Sequence, residues 1–134
     1  MGKTRALKAT AGITLDTGAL IALDRGSKRI IALLHQALAQ GFAFRVPSGV
    51  LGQVWRDGRV QVTLGRFLRS EEVEIIPLDE QLARACGELC GATNTSDIID
   101  ASVVIVARER QDYIVTSDSS DLRRLDPAAP MIAI

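Results

Sequence analysis

The chain has 134 residues, 47% of them hydrophobic, and a mean hydropathy of +0.16, which gives enough apolar material for one core and argues against a disordered chain. Its 16 Lys and Arg residues balance 16 Asp and Glu residues. This balance excludes nucleic-acid binding by bulk charge, so any such surface must come from local segregation of charge. No apolar run approaches the length of a membrane span, and no membrane partner is expected.

The two cysteines and the amino terminus bear on the cellular compartment in which the chain is expected to act. Cys86 and Cys90 lie four residues apart, which stacks them on one face of a helix in poor geometry for a disulfide. Free thiols in a reducing cytoplasm are the natural interpretation. Residues 1–12 are basic and lack an apolar stretch of signal-peptide length, so we expect a flexible tail at the start of a single domain over residues 1–134.

Short apolar runs and segments of helical periodicity alternate along the chain. Strands are predicted at residues 13–15, 42–46, 73–78, 113–117 and 131–134. Helices are predicted at residues 18–24, 27–41, 47–58, 59–70, 79–94, 96–111 and 119–125. In the fourth of these helices we expect Val60, Leu64, Phe67 and Leu68 to face the core. The order predicts an α/β fold, a doubly wound and mostly parallel sheet of about five strands with helices on both faces.

Five carboxylates fall where such a sheet binds ligands, beyond the carboxyl ends of its strands. Asp16 ends the first strand, and Asp118 ends the fourth, with Asp121 one turn further on. Asp97 and Asp100 open the helix before the fourth strand, and their spacing puts both on roughly one side of it. If the first and fourth strands are neighbours, all five carboxylates converge on one edge of the sheet.

Oxygen ligands of this kind suit Mg²⁺ or Mn²⁺, which bind through few carboxylates and keep several waters. Such a metal activates water and stabilises the charge on a phosphodiester transition state, so metal-assisted phosphoryl chemistry is the most natural enzymatic use. A purely structural alternative stays open for each residue. Asp is a good helix N-cap, and this would account for Asp16, for Asp97 with Asp100, and for Asp118 with Asp121.

The letters Asp-Thr-Gly-Ala at residues 16–19 also occur at the catalytic aspartate of retroviral-type aspartic proteases. Those enzymes are built mostly from strands and hairpins, and their Asp shares a proton with a second Asp from a partner chain. Here the motif leads into apolar residues at helical spacing, so the protease is a remote alternative. A receiver-type phosphoacceptor domain also uses acidic strand ends with Mg²⁺, but it pairs them with a late Lys, and no Lys follows Arg29.

Two segments resemble the PIN-domain ribonucleases, in particular the VapC-type toxins of bacterial toxin–antitoxin pairs. LDTGALIALDRG resembles their opening strand and first metal-binding Asp, and DIIDASVVIVARERQDYIVTSDSSDLRRL resembles their carboxy-terminal half. The likeness runs over roughly residues 13–134. By this resemblance the catalytic metal ligands are Asp16, Asp100 and Asp118, with Asp97 and Asp121 as further acidic ligands. Thr17, Gln53 and Thr116 are expected to support these carboxylates.

The resemblance implies an Mg²⁺- or Mn²⁺-dependent ribonuclease that acts as the toxin of a toxin–antitoxin pair, with RNA as substrate, an antitoxin protein as partner and a homodimeric state. One residue departs from the pattern. The family usually has a Glu on the helix after the Val-Pro of the second strand, where this chain has Gln53. The alternative is therefore a catalytically impaired PIN-like module that binds RNA or a protein partner without cleavage.

Arginines in the middle of the chain are candidates for holding RNA phosphates. The candidate residues are Arg45, Arg56 and Arg59, with Arg66 and Arg69 on the following helix. Trp55 could stack on a base, although a buried or interface anchor is the simpler interpretation. By resemblance, the apolar stripe Ile30, Leu33, Leu34 and Leu38 would serve a dimer or antitoxin interface as well as an internal core.

Overall fold

Strands and helices follow one another in the predicted order. The structure is a computed structural model that describes residues 12–134, and in this part of the chain five strands alternate with seven helices. The strands are β1 (Gly12–Leu15), β2 (Ala43–Pro47), β3 (Val73–Ile76), β4 (Tyr113–Thr116) and β5 (Met131–Ala133). The helices are α1 (Thr17–Asp24), α2 (Lys28–Ala39), α3 (Ser48–Val54), α4 (Val62–Leu68), α5 (Glu80–Thr93), α6 (Ile98–Arg110) and α7 (Ser120–Leu125). The tail expected over residues 1–12 lies outside the described residues, except for Gly12, the first residue of β1.

The strands form one parallel sheet in the order β3-β2-β1-β4-β5. All four residues of β1 are buried, because helices cover both faces of the sheet at its centre. Strands β1 and β4 are neighbours, with Leu15 aligned to Val115. The doubly wound α/β prediction is therefore confirmed. The chain reverses its direction of winding between β1 and β4, and the crevice beyond the ends of these two strands is where such sheets bind ligands.

Helix α6 fixes the position of two of the candidate carboxylates. Seven consecutive residues of this helix, 101–107, are buried, because it packs against β1, β2, β4 and α5. Its sequence is apolar through these turns and becomes charged only at Arg108. Asp97 and Asp100 stand at the amino-terminal end of α6, so the hydrophobic core determines where they lie.

The segment between α3 and α4 is a loop, although the sequence predicts two consecutive helices over residues 47–70. Helix α3 ends at Val54, and α4 begins at Val62. Val60, which was expected to face the core, is 75% exposed in this loop. That expectation is wrong, because the helical periodicity on which it rested does not extend through residues 55–61.

The side chain of Gln61 explains why this segment leaves the helical path. Its Oε1 accepts hydrogen bonds from the backbone N–H groups of Arg56 (2.7 Å) and Asp57 (2.9 Å). Its Nε2 donates to the carbonyl of Val54 (2.9 Å) and to Oδ2 of Asp24 (3.1 Å). The buried amide thus satisfies backbone groups that a continuous helix would have paired, and it ties the loop to the end of α1.

Among residues 12–134, no single helix is long and apolar enough to cross a membrane. Helices α5 and α6 together would reach that length and apolarity, but they are bent by 106° at the break between them.

Candidate active site at the carboxyl ends of β1 and β4

Asp16 lies at the end of the central strand and is only 7% exposed. Its Oδ1 accepts a hydrogen bond from the backbone N–H of Ala19 at 2.8 Å and so caps α1. Burial raises the pKa of the Asp16 carboxyl, hydrogen bonds from Thr116 and Ala19 oppose the rise, and the charge of Asp118 adds to it. The end of β1 therefore holds a carboxylate whose charge is costly in the absence of a neutralising cation.

Asp118 lies in the turn that follows β4. The Oγ1 of buried Thr116 accepts from the backbone N–H of Asp118 (3.0 Å) and donates to its carbonyl (2.9 Å), which fixes the turn. The carboxylate Oδ1 accepts from the backbone N–H (3.1 Å) and hydroxyl (2.8 Å) of Ser120. These two hydrogen bonds lower the pKa of Asp118 and favour its ionised form. Burial has the opposite effect on Asp16, since it favours the protonated form.

Asp97 and Asp100 stand together at the start of α6. Asp97 caps the helix, since its Oδ1 accepts from the backbone N–H of Asp100 at 2.9 Å. Burial, and then the negative charges of Asp97, Asp121 and Asp16, raise the pKa of the half-buried Asp100 carboxyl to about 6. The charges of Asp16, Asp97 and Asp121 thus act on Asp100, as expected for groups that converge on one edge.

A polar cleft of about 300 Å³ opens beside these residues. It is lined by residues 94–97 together with Asp100, Asp121, Arg124 and Leu125. Within residues 12–134, however, no three His, Cys, Asp or Glu side chains are close enough to form a ready-made metal-binding group. The edge concentrates negative charge: Asp97, Asp100 and Asp121 line the cleft, whereas Asp16 and Asp118 do not line it.

The cap interpretation and the site interpretation do not exclude each other. Asp16 and Asp97 are N-caps, and Asp118 accepts two hydrogen bonds from Ser120. Each of these bonds uses Oδ1 of the carboxylate. The structural role predicted for Asp16 and Asp97 is therefore confirmed, while their role as metal ligands stays a prediction that rests on the shared edge.

Close packing brings the start of α1 against the turn that carries Asp118. A Cβ added to Gly18 would meet the Ser117 Oγ, so a larger residue at position 18 requires the Ser117 hydroxyl to move. Next to it, the hydroxyl of Thr17 donates to Oε1 of Gln53 at 2.6 Å. Gln53 therefore lies beside the residue that follows Asp16, and its amide oxygen already has a partner.

Arg45, a candidate for RNA binding, is inside the protein. Its Nη1 contacts Oδ1 of Asp112 at 2.6 Å, and its side chain is only 4% exposed. The same carboxylate accepts a hydrogen bond from the Thr14 hydroxyl at 2.8 Å. Asp112 precedes β4, so the pair lies toward the edge of the sheet opposite to the carboxylate cleft. The interpretation of Arg45 as a surface phosphate ligand is wrong, because a buried charge in a strand needs an internal partner.

The two other candidate arginines lie exposed in the loop over residues 55–61. Arg56 Nη1 donates to the carbonyls of Gly52 (3.1 Å) and Trp55 (2.7 Å) at the end of α3. Arg59 forms a bidentate pair with Asp57, with both N–O distances at 3.1 Å. Trp55 is partly exposed and covers Gly58 and Gly65. Contact of this loop with RNA stays a prediction, and it would have to compete with these internal bonds.

Arg124 is a residue of the cleft that the sequence analysis missed. It lies on α7 one turn after Asp121 and lines the cleft with the carboxylates. The sequence did contain a signal for it: Asp121 and Arg124 are three residues apart on a short helix next to the predicted acidic edge, which puts both on one side of that helix.

An apolar groove of about 290 Å³ lies between α2 and α4, on a different part of the molecule. Ile31, Leu38 and Phe67 line it, with His35 and Arg66 among its polar residues. Of the predicted apolar stripe on α2, Ile30 and Leu34 belong to the core and Leu38 is exposed. The stripe thus serves both the core and an open surface.

Solved structures with the same fold include three bacterial proteins. VapBC2 from Rickettsia felis, bound to a promoter DNA fragment, superposes with a TM-score of 0.69 and 18% identity over 91% of this chain and 98% of that one. The chain has a PIN-like fold. DNA-bound VapBC from Salmonella typhimurium gives a TM-score of 0.68 and 15% identity over 92% and 98% of the two chains. VapC20 from Mycobacterium tuberculosis, a sarcin-ricin loop cleaving toxin, gives a TM-score of 0.63 and 20% identity over 81% of this chain and 92% of that one.

No protein-family model matches the sequence, and no curated protein matches it. At identities of 15–20% the structural likeness establishes the PIN-like fold alone, so the activity has to be argued from the residues. The fold excludes the protease alternative, because the strands of residues 12–134 pair only in parallel and the Asp-Thr-Gly letters form the junction of β1 with α1.

Proposed function

We propose that this PIN-like chain is a divalent-metal-dependent ribonuclease that cleaves RNA phosphodiester bonds. The observation that supports this most directly is the gathering of Asp16, Asp97, Asp100 and Asp118 at the carboxyl edge of β1 and β4. Burial and mutual repulsion raise the pKa of Asp16 and Asp100 there, a cost that a bound cation would offset. The same fold in a sarcin-ricin loop cleaving toxin is consistent with an RNA substrate.

The donor set fits Mg²⁺ or Mn²⁺ in chemistry, since it consists of carboxylate oxygens. The described carboxylates do not form a closed group of three. Mg²⁺ suits this arrangement, because it commonly binds through one or two carboxylates and completes its coordination with water and substrate oxygens. Asp16, Asp100 and Asp118 are the proposed principal ligands, with Asp97 and Asp121 as further ones. When bound, the cation would stabilise negative charge on the reacting phosphate and favour the ionisation of water.

The remaining residues of the edge orient these groups. Thr116 holds the turn of Asp118 through its two hydrogen bonds, and it also reaches Asp16. Thr17 and Gln53 are bonded to each other beside Asp16. Gln53 adds a neutral amide where the resembled family carries an acid, so the site has one negative charge fewer for the cation. We propose an active enzyme, because the other carboxylates remain. A binding module without cleavage is the alternative that Gln53 supports.

As partner we propose an antitoxin protein, with the chain acting as the toxin of the pair in the bacterial cytoplasm. The R. felis and S. typhimurium structures of this fold are VapBC assemblies. The apolar groove between α2 and α4 offers an open surface on which an apolar antitoxin segment could lie. A homodimer is part of the same proposal and rests on the family resemblance. Both buried thiols would stay reduced in that compartment.

The test is cleavage of total ribosomal RNA by the purified chain with Mg²⁺ or Mn²⁺, with and without excess EDTA. Asp16→Asn is the decisive variant, because Asn can still cap α1 while the negative charge is lost. Asp79→Asn is its matched control, since Asp79 caps α5 through an equivalent 2.8 Å bond to Leu82 and lies beyond β3, two strands from β1. We expect EDTA and Asp16→Asn to abolish cleavage and Asp79→Asn to retain it. Full activity of Asp16→Asn would overturn the site, and intact RNA with the native chain would favour the binding module.

A further inference from the structure

Arg124 has an unusual position for a surface arginine. It lines the cleft that Asp97, Asp100 and Asp121 also line. Several other exposed arginines in residues 12–134 pair with acidic groups, as Arg84 does with Glu80 at 2.8 Å. The guanidinium of Arg124, by contrast, forms no ion pair and no hydrogen bond with any described residue, although three carboxylates line the same cleft.

The cleft is therefore lined by one basic residue and three acids, and the structure has no ion pair between them. A guanidinium is a planar set of donors that matches a carboxylate or a phosphate, so its donors have a strong preference for an anionic partner. The cleft that they line is polar and has a volume of about 300 Å³. A phosphate group that entered it could meet Arg124, while a cation held by the carboxylates would neutralise part of its charge.

An acidic cleft by itself repels a polyanion. A metal ion lowers that repulsion only where it is bound, and the approaching phosphate still faces the remaining negative charge. A cationic side chain in the lining of the same cleft removes part of this penalty and fixes the orientation of the phosphate. In residues 12–134, Arg124 is the basic residue among those that line the cleft.

We propose that Arg124 is a phosphate-binding residue, whose guanidinium donates to a non-bridging oxygen of the RNA phosphodiester in the cleft. This inference rests on the proposed ribonuclease function and names the group that receives the substrate at the same site. It differs from the role of the arginines in the loop over residues 55–61, which lie at the other end of α1.

The chain offers a matched control in Arg123. It is exposed, belongs to the same turn of α7, does not line the cleft, and its side chain has no bonded partner among the described residues. Arg123→Gln and Arg124→Gln remove the same charge from neighbouring positions, so a change in net charge alone affects both equally. Thermal unfolding of both variants should match the native chain, since neither side chain supports the fold.

The first measurement is steady-state cleavage of total ribosomal RNA with Mn²⁺. Arg124→Gln should raise KM by roughly tenfold, the loss expected for one charge-assisted hydrogen bond, while Arg123→Gln leaves it within about twofold. The second is fluorescence anisotropy with a labelled, mixed-sequence single-stranded 20-nucleotide RNA and Mg²⁺, in an Asp16→Asn background that prevents cleavage. Arg124→Gln should lower the slope of log affinity against log salt by about 0.7, the value for one phosphate contact on a single strand. Arg124→Lys should restore the slope, because its charge remains.

The outcomes separate the two proposals. If the native chain cleaves RNA and the Arg123 and Arg124 variants behave alike, Arg124 does not bind the phosphate and the ribonuclease stands. If the native chain neither cleaves nor binds RNA, the ribonuclease proposal fails and the inference fails with it. A selective loss with Arg124→Gln and recovery of the salt slope with Arg124→Lys would establish the contact.

Discussion

The guanidinium of Arg45 and the carboxylate of Asp112 form an ion pair of 2.6 Å inside the protein, where their side chains are 4% and 0% exposed. Thr14 donates to the second carboxylate oxygen at 2.8 Å, and Glu74 links Arg45 (3.7 Å) with Arg110 (2.9 Å). Burial raises the pKa of Asp112, and the Thr14 hydroxyl and the Arg45 charge oppose that rise. The pair connects β2 to the start of β4 across β1 and so helps to fix the strand order.

Asp112→Ala should lower the free energy of unfolding by about 3–5 kcal/mol, because it leaves the Arg45 charge buried and uncompensated. Arg45→Met/Asp112→Leu should recover most of this loss, since apolar residues of similar volume need no partner. Urea denaturation measures both variants. Arg84→Ala, which breaks the exposed pair with Glu80, serves as the control and should cost less than about 1 kcal/mol. A double variant as unstable as Asp112→Ala would contradict this account.

Gly18→Ala should lower cleavage by roughly tenfold, since a misplacement near 1 Å at a catalytic centre can cost about 100-fold. The new methyl group would meet the Ser117 hydroxyl, which must then move next to the turn that carries Asp118. Ser117→Ala in the same chain should restore activity, because it removes the atom in conflict and leaves a Cβ at 3.3 Å. Initial rates on ribosomal RNA compare the single and double variants. No rescue by Ser117→Ala would show that Gly18 is required for another reason.

Asp100→Asn should stabilise the metal-free protein at pH 7.5 while it impairs metal binding. The pKa of Asp100 is about 6 in the folded chain against an ordinary value of 3.8, so the folded state holds this proton more tightly than the unfolded state. Its contribution to the free energy of unfolding is therefore greatest below pH 4 and is lost as the pH rises to about 6. Solvent screening at this half-buried position reduces the effect to on the order of 1 kcal/mol.

Urea denaturation in EDTA at several values between pH 4 and pH 8 measures this effect. The native chain should lose stability across this window relative to Asp100→Asn. Glu88→Gln on the exposed face of α5 should follow the native profile. If the free energies of unfolding of Asp100→Asn and the native chain differ by the same amount at every pH, Asp100 is not the group responsible for the pH dependence.

Gln61→Leu should lower the free energy of unfolding by on the order of 3 kcal/mol, because four hydrogen bonds of a buried amide are lost. Hydrogen exchange should then be faster in residues 55–61 than in the remainder of the chain. Gln81→Leu, at an exposed position of α5, provides the control and should leave the free energy of unfolding nearly unchanged. A similar small effect for both glutamines would mean that the loop is held by other contacts.

The alternation of strands and helices could be predicted because each segment has its own periodicity, and the parallel fold follows from that alternation. The placement of Asp16, Asp100 and Asp118 at one edge of the sheet could also be predicted, on the assumption that β1 and β4 are neighbours. The loop over residues 55–61 could not be predicted, because a single buried amide, Gln61, outweighs local helical propensity.

The Arg45–Asp112 pair shows what a sequence leaves ambiguous. An Arg in the apolar strand FAFRV and an Asp directly before YIV are both charges in places that usually become buried. That signal indicates that each needs a partner, but not that the two are partners, since 67 residues separate them. Arg124 was missed for the opposite reason, because its surroundings are formed only when α6 and α7 come together.

The position of β1 at the centre of the sheet has a consequence for synthesis. Its neighbour β4 begins at Tyr113, whose partner in β1 is Ile13, 100 residues earlier (113 − 13). Strand β1 therefore cannot complete its hydrogen bonds until β4 has been made. Asp16 and Asp118 come together only at that point. A nascent chain, or one cut short before residue 113, thus carries Asp16, Asp97 and Asp100 without Asp118 and without the strand that places it beside Asp16. The proposed site is therefore incomplete until β4 and the turn that follows it have been made.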